Sequence, residues 1–357
     1  MVKMKKIKHI ILFPTLFSLV AVLISCEKVS PIGVLVSGTG VEDRVKMSNE
    51  YYLQHKLEAK GHIVVGRDEY TFLVGADSHV TTDLGRMREM LQNGLDHDDL
   101  LYAHLGDIAD TKAEYYINLE DVLYEYKKLY AKKYYEEIFM GDEDDKGQLY
   151  DDSYYLYVDT INDVTYDLDH LPYPFYPVVG NHDITHNGWA LWSNIFHSSF
   201  YDVFVIVDFN PLTIDHFIFL DTANGTLGKE QVKLIEEGVL DGRNYEENGY
   251  YFRNTFVFSH TNIFRPSSLQ FASTFPREET FFLLEQFKSW EADIVFMGHV
   301  HKWDDRMNGQ TTYLTLDSMS ESNNPEPGDY LVRVHVKKDG NITWERVHMN
   351  YSPKDNE

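Results

Sequence analysis

Short apolar runs recur along this chain, and five of them end in residues that have no ordinary place in a core. Phe72–Val74 leads to Asp77-Ser78-His79, and Leu100–Leu105 leads to Gly106-Asp107-Ile108-Ala109-Asp110. Tyr176–Val179 leads to Gly180-Asn181-His182-Asp183, Thr255–Phe258 to Ser259-His260, and Ile294–Met297 to Gly298-His299-Val300-His301. Any one of these is ordinary turn chemistry beside a surface histidine. As a set they constrain the fold. Apolar runs of strand length separated by longer polar or helix-like stretches form the α/β pattern. In open α/β sheets a ligand crevice forms at the carboxyl ends of the strands. A fold that aligns these five strands therefore gathers about ten acid, amide and imidazole groups in one place.

The remaining elements agree with that class. A helix is expected over about Ala113 to Phe139, where Leu119, Leu123, Tyr126 and Tyr130 share one face. Further helices are expected over about Lys229 to Glu237 and Glu278 to Trp290, and strands over Phe217–Leu220, Tyr313–Leu316, Tyr330–Val336 and Ile342–Val347. No internal repeat is evident. With 357 residues, 43% of them hydrophobic, the chain can bury a core of one large domain or a domain with an insertion. The formal charge of −25 repels polyanions and leaves no basic stripe, which argues against extended nucleic acid as a partner, and so against a nuclease.

Asp, Asn and His ligands without Cys suit Mn, Fe, Zn or a similar divalent ion. Two such ions about 3.5–4 Å apart are one solution for cleaving phosphoesters. They polarise the phosphoryl oxygens and make a nucleophile from a bridging water at neutral pH. One carboxylate has to bridge them, and the glycine before Asp107 would let the backbone approach closely. His182, next to Asn181, is placed to protonate the leaving oxygen.

The ordered set Asp-x-His, Gly-Asp-x-x-Asp, Gly-Asn-His-Asp, a lone His after a strand, and Gly-His-x-His resembles the calcineurin-like metallophosphoesterase superfamily over roughly residues 67–350. The resemblance implies a four-layer αββα sandwich of two mixed sheets flanked by helices. It implies that Asp77, His79, Asp107 and His301 hold one metal, and that Asp107, Asn181, His260 and His299 hold the other. His182 would be the proton donor, oriented by Asp110 or Asp183. Thr111 stands where the protein Ser/Thr phosphatases carry an arginine, and Asp110 where purple acid phosphatases place a tyrosine, so neither subgroup fits. His104, His170, His186, His197 and His216 lie outside the motifs and are expected to be structural or solvated.

The N-terminus has its own signal. Lys3, Lys5, Lys6 and Lys8 precede an apolar run from Ile10 to Ile24, which is short for a membrane span but suits a signal peptide. It closes in Leu23-Ile24-Ser25-Cys26, which resembles a bacterial lipobox, and Cys26 is the only cysteine. An intrachain disulfide and a cysteine zinc cluster are thereby excluded. The expected layout is a signal peptide over 1–25, a tether and N-terminal edge element over 26–66, the catalytic domain over 67–350 and a tail over 351–357. Residues of about 140–170 read as an acidic insertion; with the preceding helix, from residue 113 on, they hold twelve of the 25 tyrosines. The expected protein is an extracytoplasmic, lipid-anchored phosphoesterase with two divalent ions, a small phosphoester substrate and the membrane as its partner. The competing expectation is a surface lipoprotein that binds a ligand on the same fold without catalysis.

Overall fold

Alternation along the strands decides where each layer of the molecule lies. In the computed structural model, which describes residues 40–54, 61–64, 69–110, 112–140, 174–209, 211–242, 250–264, 275–319 and 329–350, twelve strands form two sheets. They are β1 (Gly61–Val64), β2 (Tyr70–Gly75), β3 (Tyr102–His104), β4 (Phe175–Pro177), β5 (Tyr201–Phe209) and β6 (Leu212–Phe219). After these come β7 (Tyr250–Ser259), β8 (Ile294–Met297), β9 (Asp304–Asn308), β10 (Thr311–Thr315), β11 (Asp329–Val336) and β12 (Ile342–His348). The seven-stranded sheet runs β1-β5-β6-β7-β8-β10-β9 and the five-stranded sheet β12-β11-β2-β3-β4. Both are mixed: β6, β7, β8 and β10 run parallel, as do β2, β3 and β4, while β5, β9, β11 and β12 supply antiparallel pairings.

Because side chains alternate across a strand, Phe217, Phe219, Phe256, Phe258 and Phe296 of the larger sheet point one way, towards Phe72 and Val74 of the smaller one. Phe72 meets Phe217 and Phe256 edge-on at 5.1 and 5.0 Å, and Phe219 stacks on Phe258 at 4.5 Å. Such pairs each add about 0.5–1.5 kcal/mol beyond their area burial. The opposite positions, Ile218, Val257 and Val295, face a second core with α1 (Val41–Gln54), α5 (Gly228–Glu236) and α6 (Arg277–Ser289). On the other side Leu73 and Tyr102 face α2 (Gly85–Asp96), α3 (Ala113–Met140) and α4 (Gly188–Phe196). Helix, sheet, sheet, helix is the four-layer αββα arrangement expected from the resemblance.

The predicted helices are found within one or two residues, and Leu119, Leu123 and Tyr126 of α3 are buried on its shared face. One expectation needs correction. Residues 41–54, within the stretch expected to form a tether and N-terminal edge element, are a helix packed on the domain. The reason is a buried ion pair: Arg44 donates to both oxygens of Asp221 at 2.7 and 2.8 Å and to Asn224 at 2.8 Å, and both members of the pair are fully buried. Glu42 accepts from the first backbone amides of α5, at Lys229 and Glu230, an anion where the helix dipole favours one. Arg44→Met is expected to lower stability by about 3–5 kcal/mol, because it leaves the Asp221 charge buried without its partner. Chemical denaturation checks this, and a loss below about 1 kcal/mol would show that α1 is not an integral part of the domain. Cys26, the 141–173 stretch that includes most of the acidic insertion, and the 351–357 tail lie outside the described residues.

Candidate metal centre

Five strand ends meet at one edge of the sandwich. β2, β3 and β4, adjacent and parallel in the small sheet, deliver Asp77 and His79, Asp107 and Asp110, and Asn181 and His182. β7 and β8, adjacent and parallel in the large sheet, deliver His260, and His299 with His301. Asp77, His79, Asp107 and His301 bring one donor atom each within 4.8 Å of one another, and so do Asp107, His260 and His299. Asp107 belongs to both groups. Asn181 joins the second, its Oδ1 lying 2.9 Å from His260 Nε2. The structure thus gathers every metal-ligating candidate of the sequence into two groups that share one carboxylate.

The backbone is bent to make this possible. Asp77, His79, Asp107, His299 and His301 all have φ between 41° and 69°, a left-handed conformation that costs non-glycine residues about 1–3 kcal/mol and clusters at functional sites. Two glycines are required by close approach. A Cβ on Gly180 would stand 2.1 Å from the Asp107 backbone nitrogen, and one on Gly106, at φ 87°, would stand 2.7 Å from the Gly180 nitrogen. The turns after β3 and β4 therefore touch backbone to backbone, as the glycine before Asp107 suggested.

The electrostatics ask for cations. Burial pushes Asp107 upward, but the imidazoles of His260, His182, His79 and His299 outweigh it and hold the carboxyl below its usual range. Asp77, fully buried, is likewise held ionised against burial, by His301. His260 Nδ1 lies 2.7 Å from the Leu105 carbonyl oxygen, which can only accept. With the ring proton on that side, a neutral His260 turns its Nε2 lone pair towards Asn181 Oδ1 at 2.9 Å and Asp107 Oδ2 at 3.5 Å. In that tautomer three acceptor atoms converge, a donor set that fits a positive ion, and the Nδ1–H contact is the outer support a metal-binding histidine uses. His79 Nε2 and His301 Nε2 face each other at 3.4 Å, and His301 Nε2 lies 3.4 Å from Asp77 Oδ1. Neighbouring donors about 2.1 Å from a shared ion stand about 3.0–3.4 Å apart. The residues present fit divalent metal ions.

Beside these groups, His182 is anchored by its backbone N–H, which donates to Asp107 Oδ1 at 2.7 Å. Its Nδ1 lies 3.3 Å from Asp110 Oδ1, and its ring packs edge-on to His79 at 4.6 Å. Burial lowers its pKa, but Asp107 and Asp110 outweigh it and raise the imidazole to about 9. Asp110 is the partner of His182; Asp183 is not, and its catalytic assignment needs correction. Its carboxylate is fully buried and accepts from the backbone of Gly180, Ile108 and Ala109 and from the Tyr116 hydroxyl. Burial and the Asp107 charge push Asp183 up to about 6. It ties the β3 and β4 turns together. His104 is not a ligand either: its Nδ1 accepts from Gly106 N–H, burial pushes it down to about 3, and its Nε2 has no partner among the described residues.

The supports of this site carry no motif of their own in the sequence. Thr222 Oγ1 accepts from the backbone amides of His260 and Thr261, and Ser318 Oγ donates to the Asp77 carbonyl. Both follow apolar runs, Phe217–Leu220 and Tyr313–Leu316. The signal was again a polar residue at a strand end.

No family model and no curated protein matches this chain. Solved structures do. A dimetal phosphatase from Danio rerio is 12% identical, with 75% of this chain and 93% of that one covered at a TM-score of 0.38. A putative 5'-nucleotidase from Staphylococcus aureus is 12% identical, covering 81% of this chain and 56% of that one at 0.39. GAP50, the anchor in the inner membrane complex of Plasmodium, is 12% identical, covering 79% and 90% at 0.39.

Proposed function

We propose that this chain is a metal-dependent phosphoester hydrolase of the calcineurin-like kind, acting on a small phosphomonoester or phosphodiester. The observation that carries the reading is the sharing of Asp107 between two Asp/His groups at the carboxyl ends of five strands. When bound, two divalent ions supply Lewis-acid polarisation of the phosphoryl group and an activated water nucleophile. Asp77, His79, Asp107 and His301 would hold one, and Asp107, Asn181, His260 and His299 the other.

The chain's own residues do the rest. His182, mostly buried, is held beside the donor groups with its Nδ1 3.3 Å from Asp110 Oδ1. Asp110 accepts at Nδ1, which leaves Nε2–H to donate to the leaving oxygen. The His182 backbone bond to Asp107 fixes the distance between that proton and the ligand groups. Phosphomonoesters, phosphodiesters and pyrophosphates assayed with Mn, Zn, Fe and Mg test the proposal. Hydrolysis that depends on added metal and stops with chelator is expected, and no turnover on any of them with any metal contradicts it.

We also propose that the protein is held outside the cytoplasm by lipidated Cys26. The support is the basic, apolar, lipobox-like order of residues 3–26. No described helix is long and apolar enough to cross a membrane. Cys26→Ala is expected to release the chain from membranes or leave it unprocessed, as read by fractionation and the mass of the mature N-terminus. A variant processed and membrane-bound like wild type contradicts the anchor.

A further inference from the structure

The segment that leaves β10 touches two of the metal-bearing strand ends within four residues. Leu316 N–H donates to the Met297 carbonyl at the end of β8 at 2.8 Å. Asp317 Oδ1 accepts the Trp303 backbone N–H at 2.7 Å, two residues past His301. Ser318 Oγ donates to the Asp77 carbonyl at 2.8 Å, and Met319 N–H to the Ala76 carbonyl at 2.9 Å. One short stretch therefore joins the β2 turn of the small sheet to the β8 turn of the large sheet. Asp77 and His301, the residues so joined, belong to the same donor group.

Asp317 is the charged member of this bridge. It is buried, and its second oxygen accepts from Arg346 of β12 at 2.6 Å. The Arg346 guanidinium lies over the Trp303 ring at 4.7 Å, and Trp303 packs on Trp344 at 5.5 Å. The arginine thus grips both the carboxylate and the residue whose amide that carboxylate holds. The chain two residues before that amide is strained: His301 sits at φ 54°. A left-handed backbone persists only where its surroundings over-determine it.

We propose that Asp317, locked by Arg346, is a positioning residue for His301 and sets the affinity of the Asp77/His79/Asp107/His301 site without touching the ion. The neighbouring Asn181/His260/His299 site has its own supports, Leu105 and Thr222 around His260. It should therefore be spared. The inference rests on the two-ion reading given above. Outer supports of metal ligands typically matter by about 10–100-fold in affinity.

Mn²⁺ titrated into the metal-free full chain, followed by calorimetry and by the spin-coupled signal of a Mn²⁺ pair, tests it. Wild type should take two ions. Asp317→Asn should weaken one by about 10–100-fold and leave the other within about twofold, so that a mononuclear form accumulates. Arg346→Gln, at a partly exposed position, should shift the same site in the same direction, and the double variant should be no worse than Asp317→Asn alone. Equal weakening of both sites, or unchanged affinities with only a lower melting temperature, would overturn the proposal. A normal Arg346→Gln would do so even if Asp317→Asn failed to fold. Wild type that takes up no Mn²⁺ would overturn the two-ion reading together with it.

Discussion

Asp107→Asn is expected to lose both bound metals and to lower turnover by about 10³-fold or more. The side chain keeps its volume, and the amide oxygen can still accept the His182 N–H that Asp107 Oδ1 accepts at 2.7 Å. The turn should therefore hold its shape. What disappears is the charge, and with it the oxygen that faces His79 Nε2 at 3.9 Å and His260 Nε2 at 3.5 Å. Those two histidines belong to different donor groups, so one substitution weakens both. Metal polarisation is worth several kcal/mol of transition-state stabilisation, and each 1.36 kcal/mol is about tenfold in rate. His79→Ala, which touches only one of the two metal-holding groups, should be milder in metal content and in kcat. Elemental analysis with single-turnover kinetics reads both. Two metals per chain with near-normal turnover in Asp107→Asn would be fatal to the bridging assignment.

His182→Ala should behave differently. Its imidazole clusters with His79 and Asp110 but lies outside the two donor groups that share Asp107, so both metals should remain. A positioned general acid contributes about 10²–10⁴-fold, and that help matters only where the leaving oxygen needs a proton. Alkyl phosphoesters should therefore lose about 10²–10⁴-fold, while p-nitrophenyl phosphoesters, whose leaving group departs as an anion, should lose far less. Asp110→Asn should follow the same selectivity with a smaller loss, because the Asp110 carboxylate faces His182 Nδ1 at 3.3 Å. If His182 only packs the turn, both leaving groups will suffer alike, and equal losses would sink the acid role.

The gathering of these Asp, Asn and His groups was legible because each follows an apolar run, and the carboxyl ends of parallel strands point one way. The layers were expected from the resemblance alone; in the structure Phe217, Phe219, Phe256 and Phe258, at a period of two, fill the space between the sheets. Other elements could not be read locally. The Ser, Gly and charged residues of 27–66 read as a tether and edge element, yet Arg44 within them pairs with Asp221, 177 positions away, and only the fold reveals the pair. β9 has the sequence DDRMN with no apolar pattern, and it is a strand only because β10 pairs with it at the sheet edge. Asp202 interrupts the apolar run of β5, but it is buried against His216 at 3.0 Å. Asp183 shows the limit of motif reading within the site. Adjacency to His182 suggested catalysis, whereas three backbone amides and the Tyr116 hydroxyl claim its carboxylate.

Whether Asp107 stands between two cations is tested directly by anomalous scattering from crystals of the full chain grown with Mn²⁺. Two peaks about 3.5–4 Å apart are expected, one on each side of the Asp107 carboxylate, with Asp77, His79 and His301 around one and Asn181, His260 and His299 around the other. A single peak, or peaks away from Asp107, would contradict it.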